Sequence, residues 1–190
     1  VSDPTGATIQ TVAFGTQTEG VSQGRLPDGT GPVTSFVGSV SPEAPNYLNT
    51  YTGPVINEVL ARNQTITVGT QIVAFVELFN PHGSSFNLAG MSLSVTSQQP
   101  GEFVFPAGTT IAANSYLLIK CNGDAPASTN AGAFNTGESL DGESGGVNMF
   151  NASGQLVNFV EYGHQVDNLP IGLSGGQWRL LSAASPGAMN

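Results

Sequence analysis

Two isolated glutamates lie in the most strand-like part of the sequence, and they are the residues best placed for acid–base chemistry. Glu58 lies within residues 55–60 and Glu77 within residues 72–79, and both runs are otherwise aliphatic, aromatic or β-branched. Neighbouring strands would bring the two carboxylates together, as general acid/base catalysis requires. No His, Lys or second acid cluster is near enough in sequence to complete a mechanism. We therefore expect both glutamates to face solvent or to accept hydrogen bonds from loop backbone.

The remaining reactive residue types form no catalytic motif. His82 and His164 are the only histidines, and neither lies in an HxxxH, HxH or CxxC spacing that would predict a zinc site. Cys121 is the only cysteine and lies inside an apolar run, and the GxSxG motif of serine hydrolases is absent. The sequence therefore predicts no catalytic residue, and we expect the chain not to be an enzyme.

Four acidic residues could supply oxygen ligands to calcium, which prefers carboxylates. They are Asp124, Glu138, Asp141 and Glu143. They lack the regular Asp-x-Asp-x-Asp spacing of a calcium-binding loop, so an acidic, solvated loop is the favoured interpretation. We expect no cofactor, with Ca²⁺ left open.

Carbohydrate is a second open ligand class. The single tryptophan, Trp178, and the four tyrosines could include a sugar-stacking platform. Scattered aromatic residues are more typical of a core and its rim.

Short strand-like runs separated by turn signals extend along the whole chain, and no run predicts a helix. The predicted strands are residues 9–14, 33–37, 55–60, 72–79, 86–95, 102–105, 115–121, 147–150, 155–162 and 177–181. Residues 15–32 read as a loop, and Gly90 predicts a bulge or bend within its run. This spacing of short strands predicts an all-β sandwich.

The composition excludes several classes of partner. Only four Lys and Arg residues oppose thirteen Asp and Glu residues, for a net charge of −9. Binding to nucleic acid depends on cationic side chains that neutralise phosphates, so we expect no nucleic-acid partner. No run approaches the roughly 18 apolar residues of a membrane span, so we expect no membrane insertion. Charged residues make up only 9% of the chain, against about 25% in average domains, which favours a secreted or cell-surface protein.

Two short motifs occur twice, in the same order and at nearly the same separation. Val-Ala-Phe-Gly-Thr-Gln at 12–17 matches Val-Glu-Tyr-Gly-His-Gln at 160–165, and Ser-Pro-Glu-Ala-Pro-Asn at 41–46 matches Ser-Pro-Gly-Ala-Met-Asn at 185–190. Such self-similarity indicates repeated structural units. We interpret residues 1–50 as the closing strands of a preceding domain plus a linker, and residues 51–190 as a complete domain.

The order of motifs in the second segment resembles the lamin tail domain family. The motifs are VINEV at 55–59, FVELFNP at 75–81, FNLAGMSL at 86–93 and FVFPAGT at 103–109, followed by the 147–162 hairpin and the closing SPGAMN. Residues 20–29 are similar to the family's penultimate loop, where Arg25 matches an expected arginine that residues 172–176 lack. The resemblance implies an immunoglobulin-like β-sandwich, known from nuclear lamins and from large secreted bacterial proteins. The composition favours the bacterial, secreted type.

Strands without the rest of their sandwich expose unpaired backbone and apolar side chains. The residues expected to contact a neighbouring copy of the chain or an adjacent domain are Ile9, Val12, Phe14, Val33 and Phe36. We therefore expect a non-enzymatic, extracellular structural or adhesive module, a unit of a tandem array or of a strand-exchanged fibre. The alternative is a carbohydrate- or Ca²⁺-binding accessory module of a secreted multidomain protein.

Overall fold

The computed structural model describes residues 1–190 and contains fifteen β-strands and no helix. The strands are β1 Val21–Arg25, β2 Val33–Val37, β3 Val55–Leu60, β4 Thr67–Val68, β5 Gln71–Ile72, β6 Ala74–Phe79, β7 Phe86–Asn87, β8 Ser92–Ser94, β9 Phe103–Val104, β10 Thr110–Ile111, β11 Tyr116–Cys121, β12 Gly145–Phe150, β13 Leu156–Tyr162, β14 Ile171–Ser174 and β15 Gln177–Leu180. The chain divides into an N-terminal unit, Val1–Leu48, and a C-terminal unit, Asn49–Asn190.

The C-terminal unit is a β-sandwich of two antiparallel sheets. One sheet has the strand order β11-β6-β3-β14-β15 and the other has the order β13-β12-β8-β9. Both contribute to one apolar core, with Ile56, Val76 and Ile119 from the first sheet and Val147 and Met149 from the second. Residues two apart on a strand share a face, so each sheet turns one side of its alternating side chains inward. The predicted immunoglobulin-like β-sandwich is confirmed.

The five-stranded sheet also buries side chains on its outer face. Leu60 and Phe75 alternate with the core residues of β3 and β6 and form a smaller cluster with Val68 of the β4–β5 hairpin. Ala184, near the C-terminal end, packs against the same cluster. The central strands β3 and β6 are therefore covered on both faces, which explains why their sequences are apolar almost throughout.

The N-terminal unit contains a single two-stranded sheet, β1–β2, paired in register from Val21↔Val37 to Arg25↔Val33. Strand 33–37 was predicted, whereas β1 lies in a segment predicted as a loop. The prediction of a strand at residues 9–14 is wrong, because no strand forms there. An extended, β-prone segment becomes a strand only when a neighbour accepts its backbone hydrogen bonds.

Most other predicted strands are present with shifted boundaries. The run 86–95 is divided into β7 and β8 at Gly90, whose φ of +79° confirms the predicted bend. The 147–162 hairpin is present as β12–β13, with a bulge between Met149 and Phe150. The short strands β4 and β10 and strand β14 were missed. No helix is present that is long and apolar enough to cross a membrane.

Candidate functional site

The two glutamates face each other on the central strands of the five-stranded sheet. Glu58 on β3 and Glu77 on β6 are register partners, next to a bulge between Ile56 and Glu58. Both side chains lie on the outer face and are 0% exposed. Two like charges directly opposite on adjacent strands are unfavourable, and burial adds to that cost. The arrangement therefore requires donors that satisfy the carboxylates.

These donors come from the C-terminal end of the chain, residues 182–190, which we call the closing segment. The Ser185 amide lies 3.2 Å from each carboxylate oxygen of Glu58, and the Ser185 hydroxyl lies 2.8 Å from Oε2. The Gly187 amide donates to Glu77 Oε2 at 2.5 Å, and Asn57 Nδ2 donates to Oε1 at 2.9 Å. No Lys or Arg forms an ion pair with either glutamate. Neutral backbone and side-chain groups alone thus hold the pair.

Asn190 fastens the closing segment to the sheet. Its Nδ2 donates to the carbonyl oxygens of Asn57, at 2.8 Å, and Leu173, at 3.2 Å. Its Oδ1 lies 2.8 Å from the Ser185 hydroxyl. The turn between them needs Gly187 in the left-handed region, with φ of +80°, where glycine is the favoured residue. One glycine and two polar side chains therefore fix the position of the segment over the carboxylates.

Burial keeps the carboxylate pair partly protonated. Desolvation, with a smaller contribution from the nearby Glu58, raises the pKa of Glu77 to about 7 against the lowering effect of the Gly187 and Asn57 hydrogen bonds. Desolvation also raises the pKa of Glu58, against the hydrogen bonds from Ser185. The single hydroxyl proton of Ser185 cannot go to both Glu58 and Asn190, so both contacts are satisfied when Glu58 is protonated and donates. Near neutral pH the Glu77 carboxyl is therefore partly protonated.

The pair is suited to holding the closing segment rather than to catalysis. A catalytic acid or base must reach the proton that it transfers, and here every approach is occupied by strand or closing segment. Of the two alternatives expected for Glu58 and Glu77, the structure shows the hydrogen bonds from loop backbone, and neither side chain faces solvent. Sequence periodicity predicts which face of a strand a residue occupies. It does not predict that the closing segment covers this outer face.

The four acidic calcium candidates do not converge. Asp124, Glu138, Asp141 and Glu143 are all exposed, and no group of three or more His, Cys, Asp or Glu side chains is arranged to hold a metal ion. Asp141 accepts a hydrogen bond from the Glu143 amide at 2.8 Å. This contact closes a local turn within residues 141–143.

Glu143 instead belongs to a surface ion cluster. It pairs with Arg62 and lies 2.9 Å from His164 Nδ1, and Arg62 also approaches Asp167 at 3.7 Å. The hydrogen bond from His164 and the charge of Arg62 hold the pKa of Glu143 below its usual range. The other histidine, His82, bonds the Thr52 carbonyl through Nε2.

The remaining candidate residues are structural. Burial raises the pKa of the Cys121 thiol to about 12, so it carries no thiolate at neutral pH. Trp178 is partly buried and packs against the sandwich core. Tyr116 stacks on Phe79 with ring centroids 4.8 Å apart, across neighbouring strands. Tyr162 belongs to the core, and Tyr51 packs against it.

The five apolar residues predicted to contact a partner differ in exposure. Phe14 is 75% exposed and Ile9 67%, and Val12 and Val33 are about half exposed, whereas Phe36 is buried at 1%. Val12, Phe14 and Val33 line one cleft of the N-terminal unit, of which Ile9 and Phe36 are not part.

The N-terminal unit carries a second closing segment, residues 41–46. The Ser41 hydroxyl donates to Asn46 Oδ1 at 3.1 Å, and Asn46 Nδ2 donates to the Arg25 carbonyl at 3.1 Å, as Ser185, Asn190 and Leu173 do in the other unit. Glu43 adopts the left-handed φ of +59° at the position of Gly187. The sequence repeat signalled this duplication, although not its role in covering a carboxylate pair.

Comparison with known proteins gives one family. Residues 49–164 match the family model described as Lamin Tail Domain, a range that contains both glutamates and ends before β14. A search of curated proteins found no match.

Proposed function

The chain belongs to the lamin tail domain family, and from that premise we propose that it is a structural module that joins further modules of its kind through residues 1–48. The family is a non-catalytic, immunoglobulin-like one. The single observation that carries the proposal is the duplicated closing segment. This chain has two closing segments, at residues 41–46 and 182–190, and one buried carboxylate pair, at Glu58 and Glu77.

The hydrogen bonds of the closing segment in the C-terminal unit indicate what a partner would supply to residues 1–48. There the closing segment satisfies two buried carboxylates, and its own amides are satisfied in return. Within residues 1–48 the closing segment binds only the Asp28 carboxylate, through the Asn46 amide at 3.2 Å, and no buried glutamate lies under Ser41 and Glu43. The closing segment at residues 41–46 lacks the buried carboxylate pair that its counterpart covers. A neighbouring module could supply such a pair, which favours assembly into an array or fibre.

We also propose that this module works outside the cell or at its surface. The support is compositional: only 9% of residues are charged, so Ser, Thr, Asn and Gln cover the surface. Fractionation of the source cells with an antibody to the chain tests this location. Signal confined to the cytosolic fraction would overturn it.

Sedimentation of the purified chain tests assembly. We expect the full chain to associate with increasing concentration, and residues 49–190, which have a complete core of their own, to remain monomeric. Electron microscopy would then show whether the association is linear. A full chain that stays monomeric at millimolar concentration would overturn assembly between copies.

The same preparations separate this function from the binding of Ca²⁺ or carbohydrate. Calorimetric titration with CaCl₂ and a glycan screen should give no heat and no hits. Saturable calcium binding that Glu143→Gln abolishes would favour an accessory binding module instead.

A further inference from the structure

The N-terminal unit contains a cleft of about 350 Å³ whose lining matches a filled position in the C-terminal unit. It is lined by Val12, Phe14, Gln17, Gln23, Gly24, Arg25 and Val33. The cleft thus lies between the segment around residues 12–17 and the hairpin β1–β2. These segments are the first sequence repeat and the strands that follow it, so each lining position has a structural counterpart.

Matching turns establish the correspondence between the two units. The Val21 amide donates to the Thr18 carbonyl at 3.1 Å, and the Leu169 amide donates to the Val166 carbonyl at 3.1 Å. The residue before the donor is left-handed in both turns, Gly20 with φ of +72° in the first and its counterpart with φ of +62° in the second. The chain therefore takes the same path from the first repeat into the hairpin in both units.

The hydrogen bonds of Gln17 and of its counterpart indicate which kind of group would occupy the cleft. Its counterpart, Gln165, is 1% exposed and binds the backbone of β3 and its end: Oε1 accepts from the Ala61 amide at 2.7 Å, and Nε2 donates to the Val59 carbonyl at 3.3 Å. Gln17 is exposed, and its Nε2 donates to the nearby Gly15 carbonyl at 2.9 Å. Within residues 1–48, Gln17 has no strand whose amide and carbonyl groups it binds as Gln165 binds those of β3 and its end.

The edge of β1 also lacks a partner strand. In the C-terminal unit β14 pairs with β15 on one side and with β3 on the other, where Gly172 is the register partner of Glu58. In the N-terminal unit β1 pairs with β2 alone, and Gly24 lies at the position of Gly172. An unpaired strand edge is a template for an added strand.

The apolar lining completes the match. Val160 and Tyr162 are buried in the sandwich core, in the same cluster as Ile56 of β3. Their counterparts, Val12 and Phe14, are exposed. An added strand would cover them, as β3 does in the C-terminal unit.

We propose that this cleft is a strand-binding site whose occupant is a β3-type strand of another lamin tail domain: an extended apolar segment with one glutamate. The proposal deepens the proposed function and rests on it for the source of the strand. The strand adds antiparallel to β1, and Gln17 binds its backbone as Gln165 binds that of β3. The glutamate lies under residues 41–46, where it accepts from the Ser41 amide and hydroxyl. Asn46 Nδ2, already bonded to the Arg25 carbonyl, also donates to the carbonyl of the residue before the glutamate.

A synthetic peptide tests the site directly. The probe carries residues 54–63, with lysines added at the ends for solubility and a fluorescent label, and is titrated with the full chain while anisotropy is measured. We expect saturable one-to-one binding, which Gln17→Ala and Ser41→Ala each weaken about tenfold, because each removes hydrogen bonds to the strand. Gln99→Ala, an exposed glutamine in the C-terminal unit, should bind as the unaltered chain does.

The glutamate of the peptide provides a second, coupled test. Replacement of the residue equivalent to Glu58 by alanine should weaken binding about tenfold and abolish the effect of Ser41→Ala, since the two groups act on each other. Amide chemical-shift changes on binding should map to residues 12–46. Circular dichroism of every variant establishes that the chain remains folded.

The outcomes separate the two proposals. No binding by the unaltered chain at peptide concentrations on the order of 1 mM, or equal binding by the Gln17→Ala and Ser41→Ala variants, overturns the strand-binding site. Self-association of the full chain without peptide binding leaves the array intact and removes the cleft as its contact. Peptide binding by a strictly monomeric chain confirms the site and removes assembly between copies.

Discussion

Residues 9–46 and residues 157–190 contain nearly the same elements in the same order, but only the second set is paired with the other strands of a sandwich. Both contain the first repeat, a turn, an antiparallel hairpin and a closing segment with a Ser–Asn side-chain hydrogen bond. In the C-terminal copy the first repeat is strand β13, paired with β12, and the closing segment covers two carboxylates. In the N-terminal copy the first repeat is not a strand. Local sequence thus builds the hairpin and closing segment, and only partner strands make the rest into a sheet.

The largest expected difference concerns the aromatic residue of the first repeat. Tyr162 is 9% exposed and packs in the core, whereas its counterpart Phe14 is exposed. Tyr162→Ala should lower the free energy of unfolding of the sandwich by about 4 kcal/mol, and Phe14→Ala should change it by less than about 0.5 kcal/mol. Denaturant titration followed by Trp178 fluorescence measures both.

Tyr162→Phe is the matched control for that pair. The Tyr162 hydroxyl is buried without a hydrogen-bond partner, so its removal should leave the stability unchanged or slightly higher. A Phe14→Ala variant as destabilised as Tyr162→Ala would show that the two copies are equally packed, and the contrast between them would fail.

The second difference is a pH dependence that only the C-terminal copy should have. The pKa of Glu77 is about 7 in the folded state, against 4.5 for an unperturbed glutamate. The folded state then binds more protons between these pH values, so stability is full below about pH 4.5, falls as the pH rises to about 7, and then levels off. The loss is about 3 kcal/mol.

Chemical denaturation at a series of pH values measures this slope. Glu77→Gln should flatten it, while Glu161→Gln, an exposed glutamate on β13, should leave it unchanged. Stability that rises between pH 5 and 7 would show that the pair is not held in its protonated form.

The third difference concerns the serine of the closing segment. Ser185→Ala removes the hydroxyl from a buried carboxylate and should cost about 2 kcal/mol of unfolding free energy, whereas Ser41→Ala should cost less than about 0.5 kcal/mol. Thermal unfolding of the two variants side by side measures this. With the peptide bound in the cleft, Ser41→Ala should become costly as well, which would show that partner strands create the difference.

The smallest expected effect comes from exchanging glutamate and glycine at the left-handed position of the two closing segments. Glu43→Gly should stabilise the closing segment at residues 41–46, which Asn46 joins to β1, by about 1 kcal/mol, since a non-glycine residue is strained at φ of +59°. Gly187→Glu should destabilise the sandwich by at least that amount and would add a third carboxylate beside Glu58 and Glu77. Hydrogen exchange of the hairpin amides in β1–β2 reports the first change. Unchanged protection in Glu43→Gly would mean that the turn is relaxed without glycine.

Much of the sandwich could be predicted because its determinants are local. Alternating apolar residues with turn signals between them predicted the strands at 33–37, 55–60 and 115–121, and the bend at Gly90 follows from a residue that tolerates positive φ. Strand β14 was missed because its sequence, Ile-Gly-Leu-Ser, has weak strand propensity, and pairing with β3 and β15 makes it a strand.

By itself the sequence determined the fold class, the family motifs and the duplication of the closing segment, because each is a pattern of residue types along the chain. Only the tertiary structure decided that Glu58 and Glu77 are buried, that Gln165 holds β3, and that the segment around Val12 is left without a sheet. Burial and pairing depend on groups more than a hundred residues away. Similar local patterns therefore give a finished sandwich edge where those groups are present and an open cleft within residues 1–48.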